Sequence, residues 1–79
     1  MGDHEPVTLD LRGLKCPLPV LRARKELERM APQALLVLEC TDPMSAIDIP
    51  HFVAESGHSL EAQRADGGVL VFHIRRKAA

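Results

Sequence analysis

Val7-Thr8-Leu9-Asp10-Leu11-Arg12-Gly13-Leu14-Lys15-Cys16-Pro17-Leu18-Pro19 changes periodicity midway. Its first half alternates apolar and polar residues, the pattern of a strand buried on one face, with Val7, Leu9 and Leu11 inward. Gly13 breaks the alternation. Pro17 suits the first turn of a helix, where its missing N–H costs nothing. The helix is expected to run to about Met30 or Ala31, with Pro32 stopping it. Val20, Ala23, Leu27 and Met30 form its buried stripe, and Arg22, Lys25, Glu26 and Arg29 lie off it. A strand feeding a helix in so few residues opens a β-α unit.

Further along, Ala34-Leu35-Leu36-Val37-Leu38-Glu39-Cys40-Thr41 is a nearly continuous apolar run, which suits a central strand. Thr41 or Asp42, with Pro43, repeats the cap-plus-proline signal of a helix start. Asp48-Ile49-Pro50 predicts a broken or kinked second helix, with Asp48 capping a second stretch from Pro50 to Ser56 and Gly57 closing it in a left-handed conformation. Residues 59–65 and 69–76 read as strands joined by the hairpin signal Asp66-Gly67-Gly68. The order β-α-β-α-β-β gives an α+β fold, a two-layer βαβαββ sandwich with a four-stranded mixed sheet and both helices on one face. The first two strands are expected to be parallel, joined by a right-handed crossover. Leu36, Leu38, Leu70 and Phe72 then face the helices. Leu35, Val37, Val69 and Val71 lie on the open face, as ordinary partly exposed residues or as a contact surface. Residues 1–79 are expected to form one domain, with 1–6 and 77–79 flexible.

Composition narrows the function classes. The chain has 79 residues, 46% hydrophobic and 27% charged, enough to fold around one small core. It has no Trp or Tyr, and only Phe52 and Phe72 as aromatics, so base stacking on single-stranded nucleic acid has little to work with. A net charge of −1 supplies no basic field for DNA or anionic lipid. Two cysteines do not make a disulfide framework. The start Met1-Gly2-Asp3-His4-Glu5-Pro6 lacks signal-peptide features, and no apolar run reaches the ~20 residues a membrane span needs. The expected location is the cytoplasm, where an exposed thiol stays reduced.

Cys16 is the residue placed for chemistry. It sits at a turn just before a helix, where unpaired N–H groups and a partial positive charge favour a thiolate. Arg12 and Lys15 add positive charge nearby, while Pro17 and Pro19 stiffen the backbone but remove two N–H groups. Leu14, Leu18 and Leu21 are expected to ring the sulfur as a docking surface. His4, His51, His58 and His73 are dispersed and read as surface residues, so no general base is evident. There is no Cys-x-x-Cys pair, phosphate loop or metal-ligand spacing. Cys40 reads as a core cysteine, although parallel first and second strands put it on the same sheet edge as Cys16, leaving a resolving role open.

The segment from Asp10 to Pro19, with its Gly13-Leu14-Lys15-Cys16-Pro17-Leu18-Pro19 core, resembles the signature of the TusA/SirA-like sulfur-carrier proteins, as does a basic residue at Lys25. The likeness continues through Asp42-Pro43, Asp48-Ile49-Pro50, Gly57-His58 and the final hairpin, so it spans essentially the whole chain. It implies the βαβαββ sandwich seen in the C-terminal domain of translation initiation factor 3. It also implies that Cys16 accepts sulfane sulfur as a persulfide from a cysteine desulfurase or rhodanese-like donor and passes it to an acceptor protein. Such relays end in tRNA 2-thiouridine, molybdenum-cofactor synthesis or sulfur oxidation. Arg12, Gly13, Leu14, Lys15, Pro17, Leu18, Pro19 and Lys25 would form the sulfur environment and partner-docking surface. No cofactor beyond the covalent persulfide, no metal, no direct DNA binding and no membrane are implied. Leu18 stands where the tRNA-relay members carry an acidic residue. Two other readings remain: a redox or regulatory adaptor that uses the Cys16 thiol without sulfur transfer, and a nucleic-acid module suggested only by fold analogy.

Overall fold

The computed structural model describes residues 5–78. The elements follow in the expected order: β1 (Val7–Leu11), α1 (Leu18–Arg29), β2 (Leu35–Cys40), α2 (Ser45–Ser56), β3 (Ser59–Asp66) and β4 (Val69–Arg75). The sheet runs β1-β2-β4-β3, with β1 parallel to β2 and the other pairings antiparallel. The expectation of flexible ends falls outside the described residues for 1–4 and 79. Lys77, inside the other expected tail, donates its backbone N–H to His58 Nδ1 at 3.0 Å.

Register explains the core. Leu9 pairs with Leu38 and Leu38 with Phe72, while Leu36 pairs with Ile74, so these side chains share one face. Against that face pack Ala23 and Leu27 of α1 and Ile49, Phe52 and Val53 of α2. Leu11, Leu36, Leu38, Ile49 and Ile74 are completely buried, each stabilising the fold by about 1.5–3 kcal/mol relative to exposure. Leu35, Val37 and Val69 lie half-buried on the opposite face. Val71 shares that face but is buried, contrary to the expectation of an open position. It sits between Glu39 of β2 and Arg64 of β3 in the sheet, so it has a paired strand on both sides.

The second helix departs from expectation. Pro50 lies inside one continuous α2 rather than breaking it. The proline removes a single hydrogen bond, the one its N–H would give to the Ala46 carbonyl. Burial of Ile49, Phe52 and Val53 on the same helix holds the turns on either side of it together. Asp48 is therefore no cap for a second stretch. It occupies the first turn of α2, where negative charge is favoured. Gly57 ends the helix at φ +87°, and Gly67 and Gly68 make the hairpin with φ +59° and +86°.

Candidate functional site

The loop carrying Cys16 is pinned from the β2–α2 connection. Gly13, at φ +86°, donates its N–H to Thr41 Oγ1 at 2.8 Å. The Leu14 N–H returns to the Leu11 carbonyl at 3.2 Å. The Cys16 N–H donates to Asp42 Oδ2 at 2.7 Å, and the Met44 N–H donates to Asp42 Oδ1 at 3.1 Å. One carboxylate thus ties the loop before α1 to the start of α2, and these two N–H groups hold its pKa below the ordinary value, with Lys15 adding to the effect. Neither Thr41 nor Asp42, the two caps that the sequence allows, is the N-cap of α2, which is Met44; Asp42 instead ties the turn before the helix, its carbonyl accepting the Ser45 N–H at 2.9 Å. The peptide bond between Cys16 and Pro17 is cis.

Cys16 is exposed and Cys40 is buried, and neither is in a disulfide. Exposed apolar side chains crowd the N-terminal ends of both helices: Leu18 and Leu21 on α1 are 46% and 50% exposed, and Met44 and Ile47 at α2 are 46% and 64%. Leu18 and Leu21 were legible from the helical stripe. Met44 and Ile47 were not, because the expected break at Pro50 left that segment without a defined outer face. Leu14, expected in the exposed ring, instead packs half-buried against the core. Pro19 is likewise buried on the sheet-facing side of α1. Pro17 lies at the N-cap of α1 and lines a groove with the sulfur.

The electrostatics reverse the sequence expectation. The Cys16 thiol is pushed up from its ordinary pKa, first by the Asp48 carboxylate acting as acceptor for the thiol proton, then by partial desolvation and by the charges of Asp48 and Asp42. Of the expected activators, Arg12 is engaged elsewhere. Arg12 forms a fork to Asp10, with Nε to Oδ1 at 2.8 Å and Nη2 to Oδ2 at 3.0 Å, which draws the Asp10 pKa down to about 2. The charge of Lys15 acts on Asp42. Among the N–H groups at the helix start, Pro17 and Pro19 have none, and the Leu18 N–H is taken by the Lys15 carbonyl at 2.8 Å. Lys25 is exposed on α1 and does not line the groove.

That groove, of about 300 Å³, runs between the two helices. Cys16, Val20 and Arg24 form one side, and Asp48, His51 and Glu55 the other. It continues through Arg24, Phe52 and Glu55 into a second cavity of about 520 Å³ that ends at His58, Arg76 and Lys77. His51, read from sequence as a surface residue, is exposed at the rim and paired with Glu55 at 3.2 Å. Sequence reasoning missed Asp48 and Arg24 as neighbours of the sulfur. Part of the signal was present: 20 and 24 are one helical turn apart on α1, as are 48 and 51, and 51 and 55, on α2. Cys40 is fully covered, paired with Leu11 across the sheet, and burial pushes its thiol up. Its core reading holds.

Comparison with known proteins agrees with this architecture. Residues 7–76 match the family model described as Sulfurtransferase TusA. The chain is 40% identical over 70 residues to the sulfur carrier protein TusA of Pseudomonas aeruginosa strain UCBPP-PA14, covering 89% of each. It is 39% identical over 79 residues to the protein of the same name from Pseudomonas putida strain GB-1, covering 99% of each. The crystal structure of a SirA-like protein from Desulfitobacterium hafniense superposes with a TM-score of 0.80 at 25% identity, covering 90% of this chain and 97% of that one.

Proposed function

Because the chain belongs to the TusA sulfurtransferase family, we propose that it accepts sulfane sulfur as a persulfide on Cys16 and hands it to an acceptor protein. A cysteine desulfurase or a rhodanese-like protein is the donor. The observation that carries this reading is an exposed sulfur on a pinned loop, set among exposed apolar side chains from the starts of both helices. Such a surface suits docking against another protein.

The exchange balances without a cofactor. Cys16 Sγ attacks the outer sulfur of the donor persulfide, forming a new S–S bond. The donor S–S bond breaks, its electron pair leaves on the donor cysteine, and the proton lost by Cys16 ends on that thiolate. The same step in reverse roles unloads the carrier. Leu18 and Leu21 then act as docking residues, and Gly13, Pro17 and Pro19 shape the loop. Sulfur relays of this kind operate in the cytoplasm and end in products such as tRNA 2-thiouridine, a molybdenum cofactor or oxidised sulfur. Neither DNA nor a membrane is needed; no helix among the described residues is long and apolar enough to cross one.

Incubation with a cysteine desulfurase and cysteine is expected to add about 32 Da to the intact protein. The Cys16→Ala variant is expected to stay unloaded. The adaptor alternative requires a reversible Cys16–Cys40 disulfide, and complete burial of Cys40 weighs against it. An intramolecular disulfide under mild oxidant, with no persulfide uptake, would favour that alternative.

A further inference from the structure

Asp48 is a half-buried carboxylate in the groove beside Cys16, and among the described residues no lysine, arginine or histidine forms an ion pair with it. Other charged groups stand around the sulfur. Arg12 is paired with Asp10, and His51 Nε2 lies 3.2 Å from Glu55 Oε2. Arg24 lies over the Phe52 ring, 5.3 Å from its centre. Lys15, the residue before Cys16, is exposed and its charge lowers the Asp42 pKa, while the two Asp42 oxygens accept the Cys16 and Met44 N–H groups. A molecule approaching Cys16 therefore passes exposed apolar side chains and meets, in the groove beside the sulfur, a carboxylate that no cation among the described residues pairs with.

We propose that Cys16 is selective for protein partners that present a cationic side chain, lysine or arginine, beside their own reacting sulfur, with Asp48 as the receptor for that cation. The partner's identity as a sulfur donor or acceptor rests on the carrier reading; the charge selectivity does not. Pairing Asp48 with a partner cation also removes the acceptor and the repulsion that keep the thiol protonated, so docking itself releases the nucleophile. In the free protein the sulfur is kept less reactive toward adventitious reagents. In the loaded protein, a persulfide anion facing an unpaired carboxylate is destabilised until a cation arrives, which favours hand-off to such a partner.

The test uses two small reagents of opposite charge on the full chain: trimethylammonioethyl methanethiosulfonate and sulfonatoethyl methanethiosulfonate. Each reacts alike: an Sγ–S bond forms, the S–SO2 bond breaks, methanesulfinate leaves and the thiol proton passes to solvent. At low ionic strength the cation-to-anion rate ratio at Cys16 is expected to exceed that of N-acetylcysteine amide by about tenfold. Asp48→Asn should reduce this excess several-fold, and Asp48→Glu should keep it. If the Asn variant fails to fold by circular dichroism, a salt series on the natural protein serves instead, with the excess collapsing by about 1 M salt. A ratio equal to that of the small thiol, or one unmoved by Asp48→Asn in the folded protein, overturns the proposal. Neither reagent depends on a sulfur donor. A protein that keeps the charge preference but takes no persulfide from a desulfurase refutes the carrier reading and leaves the selectivity standing.

Discussion

At the scale of single residues, Cys16 is governed by what surrounds its side chain rather than by its position before a helix. The sequence places Arg12 and Lys15 nearby, and proximity in sequence suggested a stabilised thiolate. In three dimensions Asp10 captures Arg12, two residues away, and Asp48 arrives from an element that the sequence pattern had divided. The thiol pKa accordingly lies above its ordinary value, and the thiolate fraction at neutral pH lies below that of a free cysteine. The alkylation rate with neutral iodoacetamide is therefore expected to keep rising beyond pH ~8.5, the usual thiol midpoint. Asp48→Asn should move the profile to lower pH. A natural-protein midpoint at or below the ordinary value would contradict this account of the sulfur.

At the scale of elements, the connection from β2 to α2 does the positioning. Thr41 and Asp42 hold the Cys16 loop by its backbone N–H groups. The folded-state pKa of Asp42 is depressed by those bonds, so its contribution to stability is complete above the unfolded value of ~3.9 and is lost as the pH falls through the folded value. Asp42→Ala should lower the melting temperature at pH 6, and the gap from the natural protein should close on acidification below pH ~4. A gap that is unchanged at acid pH would count against the carboxylate as the tie. The end of α2 offers a cleaner test of backbone geometry. Gly57 has φ +87°, and a Cβ there would meet only the Lys77 side chain, its nearest atom at 3.5 Å, an ordinary contact. Gly57→Ala should therefore cost about 1 kcal/mol from conformational strain alone, read from urea denaturation.

Most of this element pattern was legible in the sequence for definite physical reasons. Alternation in Val7–Leu11, the apolar run in β2 and the paired glycines of the hairpin each have one dominant structural meaning. Pro50 does not. Its local effect is disruptive, but a single lost hydrogen bond is outweighed by the buried face of Ile49, Phe52 and Val53. That balance depends on tertiary packing, which no local pattern reports. The same limit hid the site partners. Asp48, Arg24, Met44 and Ile47 gain meaning only once α1 and α2 lie side by side, whereas Cys16 stands out from its own neighbours in sequence.

For the molecule as a whole, the two-layer design gives its two faces different characters. The sheet's open face carries half-buried aliphatics with the Glu61–Arg75 ion pair and the Arg64–His73 contact, at 3.0 and 3.2 Å. The large exposed hydrophobic side chains gather instead at the N-terminal ends of the helices, around the sulfur. The reactive atom thus sits exposed at an open groove between the helices, while the other thiol is sealed in the core. The central claim is that Cys16 alone carries transferable sulfur. Peptide mapping by mass spectrometry, after loading with a cysteine desulfurase and cysteine and again after a thiol chase, tests it most directly. The account predicts about 32 Da on the Cys16 peptide only, removed by the chase. Sulfur on the Cys40 peptide, or none on either while the desulfurase turns over, would contradict it.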